Sequence, residues 1–261
     1  MNFLLSTFVL FASVMLSVAE AYSQTQLYAY SAGETVTLSV TGANGTIQWQ
    51  QSTDSLAWAD IAGATTTPYT ITTTTSVTGK RFFRAKVTNT VICDNSSWYS
   101  SVIRHKIITN TAQIVVGDWY GGGIVFYTDG TGHGLIAPQT DQSTGVQWGC
   151  FGTSIPGAVS LTNGAANTIA IVAACTTRPI AASICDTLTI NCYTDWFLPA
   201  KGQLNYLYQQ RSLVGGFSTN YYWSSSEYNA NNAWEQYFND GLQVGNSKVN
   251  GYGSVRCVRS F

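Results

Sequence analysis

Residues 234–244, Trp234-Glu235-Gln236-Tyr237-Phe238-Asn239-Asp240-Gly241-Leu242-Gln243-Val244, read as a strand, a turn and a returning strand. Asn-Asp-Gly places turn-forming residues between two β-prone runs, so a hairpin is expected here. Side chains alternate across a strand, which separates Trp234 and Phe238 from Glu235 and Tyr237. With the first pair supporting the core, the second pair is expected to face a ligand. Outward from the hairpin, Asn220, Asn229, Asn231, Asn232, Asn246 and Asn250 interleave with Tyr221, Tyr222, Tyr228 and Tyr252. Rigid aromatic rings give contact area at low entropic cost and small amides adapt their hydrogen bonds, the chemistry of a recognition surface. The expected ligand contacts are Tyr228, Asn229, Asn231, Glu235, Tyr237, Asp240, Gln243, Asn246, Lys248 and Tyr252, with Trp223, Trp234 and Phe238 beneath them.

The composition narrows the class of partner. The 261 residues carry 12 Lys+Arg and 13 Asp+Glu, a charged fraction of 10%, against roughly 25% in average soluble domains. Nucleic-acid binding, which needs clustered cations, is not expected. Nor is a coiled coil or a charged disordered tail. The 45% hydrophobic and 13% aromatic content supplies core for about two domains.

The chain opens with an apolar run from Phe3 to Leu16 followed by Ala19-Glu20-Ala21. That pattern predicts a secretory signal peptide over 1–21. The run falls short of the ~20 residues of a membrane span, and no membrane span is expected after its removal. Both methionines lie within it, and so does Glu20, which leaves 12 basic and 12 acidic residues. The six cysteines fit an oxidising compartment, and the expected location is extracellular or on the cell surface.

Residues 22–112 are rich in Thr, Val and aromatics. Alternating runs at 34–40, 46–51 and 80–87 are separated by turn signals, which predicts an antiparallel β-sandwich. From 115 the pattern changes. A strand is expected over 116–127, a hairpin through Asp129-Gly-Thr-Gly-His-Gly134, and a helix over 165–175 with Ile169 and Val172 on one side. A second helix follows Pro199, with Leu204, Leu207 and Tyr208 in register and Gly215-Gly216 ending it. A final strand is expected over 254–259.

Two resemblances add to this reading. Trp49-Gln-Gln-Ser-Thr-Asp-Ser-Leu-Ala-Trp58, Tyr69-Thr and Phe82-Phe-Arg-Ala85 resemble the Ig-like modules of secreted Bacteroidetes-type proteins, with Trp49 as the core tryptophan. The single Cys93 departs from antibody domains, which carry an intersheet disulfide. Trp148-Gly-Cys150, Asp195-Trp-Phe-Leu-Pro-Ala-Lys201, Tyr222-Trp-Ser-Ser-Ser-Glu227, Asn232-Ala-Trp234 and Val255-Arg-Cys-Val-Arg259 occur in the order of the Lcl C-terminal-domain family over 115–261. That family is similar in fold to C-type lectins. The resemblances together imply a mostly β chain: an Ig-like β-sandwich, then an α+β, C-type-lectin-like domain with two helices on a twisted antiparallel sheet. The Asn/Tyr pattern also resembles the variable region of diversity-generating retroelement targets.

Catalytic signals are weak. His105 and His133 lack partners at metal-ligand spacing, and Ser224, Ser225 and Ser226 lack a nucleophile-elbow frame. Glu227, Glu235 and Asp240 are the only acids after residue 195. A polysaccharide hydrolase would need two of them facing across a sugar. The same acids with Asn239 have oxygen ligands for calcium, but the Glu-Pro-Asn or Gln-Pro-Asp tripeptide of sugar-binding lectins is absent. Cys150, Cys175, Cys185, Cys192 and Cys257 contain no C-x-x-C pair, and their connectivity does not follow from spacing. The expected function is adhesin-like binding of a glycan or extracellular protein, without catalysis, metal or cofactor. The alternative is a structural, fimbria-like surface subunit, with the hydrolase behind both.

Overall fold

The computed structural model describes residues 27–31, 33–74, 79–89 and 96–261. The expected signal peptide and Cys93 lie outside them. The chain is mostly β, with several sheets, and divides into two compact units. Strand β1 (Leu27–Ser31) belongs to the second unit although it precedes the first in sequence. Of the described residues, 34–73, 79–89 and 96–106 form the first unit, and 27–31, 33, 74 and 107–261 the second.

The first unit holds β2 (Thr35–Leu38), β3 (Thr46–Ser52), β4 (Ala59–Asp60), β5 (Tyr69–Thr72), β6 (Gly79–Thr88) and β7 (Ser97–Tyr99). Strand β8 (Ile103–Ile108) carries the chain across the division. Antiparallel pairing joins β4 to β3, β3 to β6 and β6 to β7, while β2 and β5 form a separate ribbon. The period of two is visible in β6, where Phe83, Ala85 and Val87 are buried and Arg84 and Lys86 face outward. Trp49 is fully buried and donates from Nε1 to Thr66 O at 2.9 Å. His105 packs edge-on against Phe83, and burial pulls its pKa down to about 4, so it is a neutral core residue.

The second unit continues with β9 (Asp118–Tyr120), β10 (Gly123–Thr128), β11 (Gly134–Ala137), β12 (Ser143–Val146), α1 (Gly164–Ala174), α2 (Ala181–Asp186), α3 (Lys201–Gln209), α4 (Arg211–Val214), β13 (Tyr221–Glu227), β14 (Asn232–Tyr237), β15 (Gln243–Ser247), β16 (Gly253–Val255) and β17 (Arg259–Ser260). One sheet runs β17-β11-β10-β9-β1 and another β12-β16-β13-β14-β15. The pairs β1/β9 and β13/β16 are parallel, so this unit is not the wholly antiparallel structure expected. The single strand expected over 116–127 is a hairpin, because Gly121 and Gly122 turn with φ of 54° and 92°. The expected last strand is likewise two short ones either side of Cys257.

Helix α1 begins where Asn163 accepts a hydrogen bond from Ala166 N at 3.0 Å. Its inner face is Asn167, Thr168 and Ile171, whereas Ile169 is 67% exposed. Asn167 reads as polar in a hydropathy pattern, yet it is buried because Ser160 O, Ser160 N and Ser225 Oγ satisfy its amide. Helix α3 buries Leu204 and Leu207 as expected, and the chain leaves α4 through Gly215 and Gly216. A Cβ on Gly216 would lie 1.8 Å from Gln139 O, so no other residue fits that turn.

Two disulfides close loops of different size, Cys150–Cys175 over 25 residues and Cys185–Cys257 over 72; Cys192 is free and exposed. Loop-closure entropy predicts that removing the longer cross-link with paired Cys→Ser changes costs about 4 kcal/mol, against ~3.5 for the shorter. Chemical denaturation of the two double variants measures that order, and equal losses or a reversed ranking would contradict it.

Candidate functional site

The hairpin at 234–244 forms as read. Tyr237 N donates to Leu242 O, Gly241 N donates to Tyr237 O, and Asp240 Oδ1 accepts from Leu242 N. Strand β14 lies between β13 and β15, with Trp234 opposite Gly245 and Glu235 opposite Val244. The faces alternate as expected and Trp223 and Phe238 are buried as expected, but the assignment to core and solvent fails at Trp234 and Glu235. Trp234 is half-buried and Glu235 is 2% exposed.

On the Glu235 face, Tyr221 and Tyr237 stack at 4.6 Å beside half-buried Val244 and Asn246. Asn246 Nδ2 donates to Glu235 Oε1 at 2.8 Å, and Oε2 has no hydrogen-bond partner among the described residues. Burial raises the Glu235 pKa to about 7, partly opposed by the Asn246 hydrogen bond. On the other face, exposed Tyr228 sits edge-on to Trp234 at 4.9 Å, and Lys201 Nζ lies 3.3 Å over the Trp234 ring. Gly245 makes room for this arrangement, since a Cβ there would meet Tyr228 Cγ at 3.0 Å. Gln243 binds Lys201 O and Gln236.

The expected contacts therefore do not form one surface. Glu235 and Lys248 are buried, and each has a polar partner inside, Asn246 and Glu227, that offsets part of the cost of leaving water. Asn229 and Asp240 are occupied in building turns: Asn229 Oδ1 accepts from Asn231 N and Asn232 N. Tyr228, Asn229, Asn231 and Tyr252 are exposed, while Tyr237, Gln243 and Asn246 are half-buried on opposite faces. Sequence reasoning missed Lys201 and Val244 at this surface, and placed Tyr221 in the segment without counting it among the contacts. The glycine opposite Trp234 was a usable signal only once the β14/β15 register was known.

What holds the surface is a buried ion pair. Lys248 Nζ meets Glu227 Oε1 at 2.5 Å and donates to Thr153 O at 2.8 Å. Glu227 also accepts from Ile155 N and Ser154 Oγ. Lys248 lies 4.7 Å over the Trp148 ring, and the backbone of 148–152 bonds to Lys248 and Ala230. A second buried pair joins Arg256 to Asp141 at 2.7 Å. Tyr222 donates to the other Asp141 oxygen, its own pKa pushed up to about 12 by burial.

The candidate nucleophiles are held in structural bonds. Ser224 donates to Trp234 O and Ser226 to Ser160 O, while Ser225 accepts from Asn167. His133 is exposed beside Asp129 in the β10/β11 turn. No cluster of three metal-ligating side chains occurs among the described residues, and no helix among them is long and apolar enough to cross a membrane.

Comparison with known proteins assigns no activity. Residues 18–109, less than half of the chain, match a family described as a domain of unknown function, DUF8696. No curated protein matches the chain. Among solved structures, a fimbrial protein from Bacteroides ovatus ATCC 8483 is similar over 90% of this chain and 69% of its own, at 12% identity and a TM-score of 0.40. Likeness at that level decides neither function nor partner.

Two predictions follow the buried acids. Lys248→Met strands the Glu227 carboxylate and is expected to cost about 3–5 kcal/mol, with Glu227→Gln/Lys248→Met recovering part of it; urea unfolding measures both. For Glu235, the folded chain retains a proton that the unfolded chain releases around its ordinary pKa of 4.5. Its contribution is full below pH 4.5, falls as pH rises, and is gone above about pH 7, a decline of roughly 3 kcal/mol. Glu235→Gln should remove that slope between pH 4.5 and 7.5. An unchanged slope would mean the carboxyl titrates normally.

Proposed function

We propose that the chain is a non-catalytic binding protein working outside the cell or on its surface, contacting a glycan or protein through strands β13–β15 and the turn between β13 and β14. In this reading the first unit is an Ig-like spacer and the second a C-type-lectin-like head. The observation that carries it is aromatic: Tyr228 is 54% exposed and the Tyr221–Tyr237 stack lies half-exposed, all on strands or a turn braced by the Glu227–Lys248 pair. Rings held rigid in this way bind without much ordering cost. The expected export signal and the two disulfides support an oxidising location. Against catalysis stand the serines and Glu227, whose hydrogen-bonding capacity is already engaged in the fold.

A glycan and extracellular-matrix binding screen of the full chain tests this. Tyr228→Ala and Tyr237→Ala are expected to weaken binding by about tenfold or more, and Asn231→Ala by less. If the wild type binds and all three variants bind equally well, the site lies elsewhere. Self-association with no ligand bound would favour a structural, fimbria-like subunit.

A further inference from the structure

In the first unit, β6 and its neighbour β8 turn the same kind of side chain outward. The Phe83–His105 ring contact shows that these two buried residues share the inner face, so Arg84, Lys86, Arg104 and Lys106 share the outer one. Residues 34–106 hold six of the chain's twelve cations, namely Lys80, Arg81, Arg84, Lys86, Arg104 and Lys106, so half of its positive charge falls in well under a third of its length. Asp60, opposite Gln50, accepts a hydrogen bond from Gln50 Nε2 at 2.8 Å.

At the centre is Arg84. Its Cζ lies 4.2 Å from the Trp58 ring centroid and 4.0 Å from that of Tyr99, so the guanidinium is flanked by two aromatic faces. Its Nε donates to Gln50 Oε1 at 2.8 Å, which fixes the rotation of the plane. Neither Nη group donates to any acceptor among the described residues, and Tyr99 is 48% exposed. Arg104 Nε is buried without a hydrogen-bond partner among the described residues. An arginine stacked between rings, locked at Nε and left open at its fork is matched to a planar carboxylate, which it receives through two parallel N–H···O bonds. The two rings hold the guanidinium plane in place, and the lysine and arginine beside it favour a repeating anion over a single one.

We propose that this face is a second binding site, separate from the Asn/Tyr surface, and that it takes carboxylated polysaccharide, uronate units docking at Arg84 between Trp58 and Tyr99.

Affinity electrophoresis of the full chain in gels containing polygalacturonate, dextran or dextran sulfate tests the assignment, with a single-stranded oligonucleotide as a further arm. Wild type should be retarded by polygalacturonate and not by dextran, and the retardation should fall with added salt. Arg84→Gln should lose about tenfold in apparent affinity, and Arg84→Lys nearly as much, because an ammonium keeps the charge but not the fork. Lys86→Gln, which leaves the ring stack intact, should lose less, and circular dichroism confirms that each variant is folded. No retardation of wild type by polygalacturonate, or equal retardation of folded Arg84→Gln, would overturn the proposal. Stronger retention by dextran sulfate or oligonucleotide, unaffected by Arg84→Lys, would overturn it too, since charge alone would then suffice. Tyr228→Ala and Tyr237→Ala should leave this retardation unchanged, so failure here and failure of the Asn/Tyr surface are separate results.

Discussion

The Glu227–Lys248 pair is the constraint on which the candidate surface depends. Two opposite charges removed from water are tolerated only when every remaining donor and acceptor is matched, and here Thr153 O, Ile155 N and Ser154 Oγ complete the set. The consequence is geometric. The end of β13, the segment after β15 and the loop leading to Ile155 are tied at one point, and the exposed Tyr228 turn projects from that point. A surface of this kind is rigid because its support is polar and fully satisfied.

The low charge content takes on a different meaning once the charges are placed. In residues 107–261 every cation has an assigned partner: Lys248 and Arg256 in buried ion pairs, Arg259 on Asp195, Lys201 over Trp234, Arg211 over Tyr208, and Arg178 on the carbonyls of Val172, Cys175 and Thr177. These charges are internal fastenings, and few remain to steer a partner from a distance. In the first unit, several cations share one face of β6 and β8. A net charge near zero therefore conceals two different uses of charge, one in each unit.

Local patterns were legible where local physics decides. Asn239-Asp240-Gly241 could only turn the chain, Leu204 and Leu207 could only bury one face of α3, and the alternation in β6 survived into the structure residue by residue. Patterns failed where a distant partner decides. Asn167 lies on the inner face of α1, where hydropathy would not put it, because Ser160 and Ser225 satisfy its amide there. Glu235 and Lys248 read as surface residues, and only Asn246 and Glu227, brought beside them by strand pairing, make their burial tolerable. Glycine turns at Gly121 and Gly122 divided a strand that hydropathy alone ran together.

By itself, then, the sequence determined the β-rich class, the hairpin at 234–244, the two longer helices and an amide- and aromatic-rich C-terminal segment, because propensity, periodicity and turn chemistry act over a few residues. Tertiary structure alone decided which side of β14 is buried, how four cysteines pair, that Leu27–Ser31 pairs with Asp118–Tyr120, and that Trp58, Arg84 and Tyr99 meet. Each of these depends on the free energy of a contact between residues far apart in the chain, and no local pattern carries that quantity.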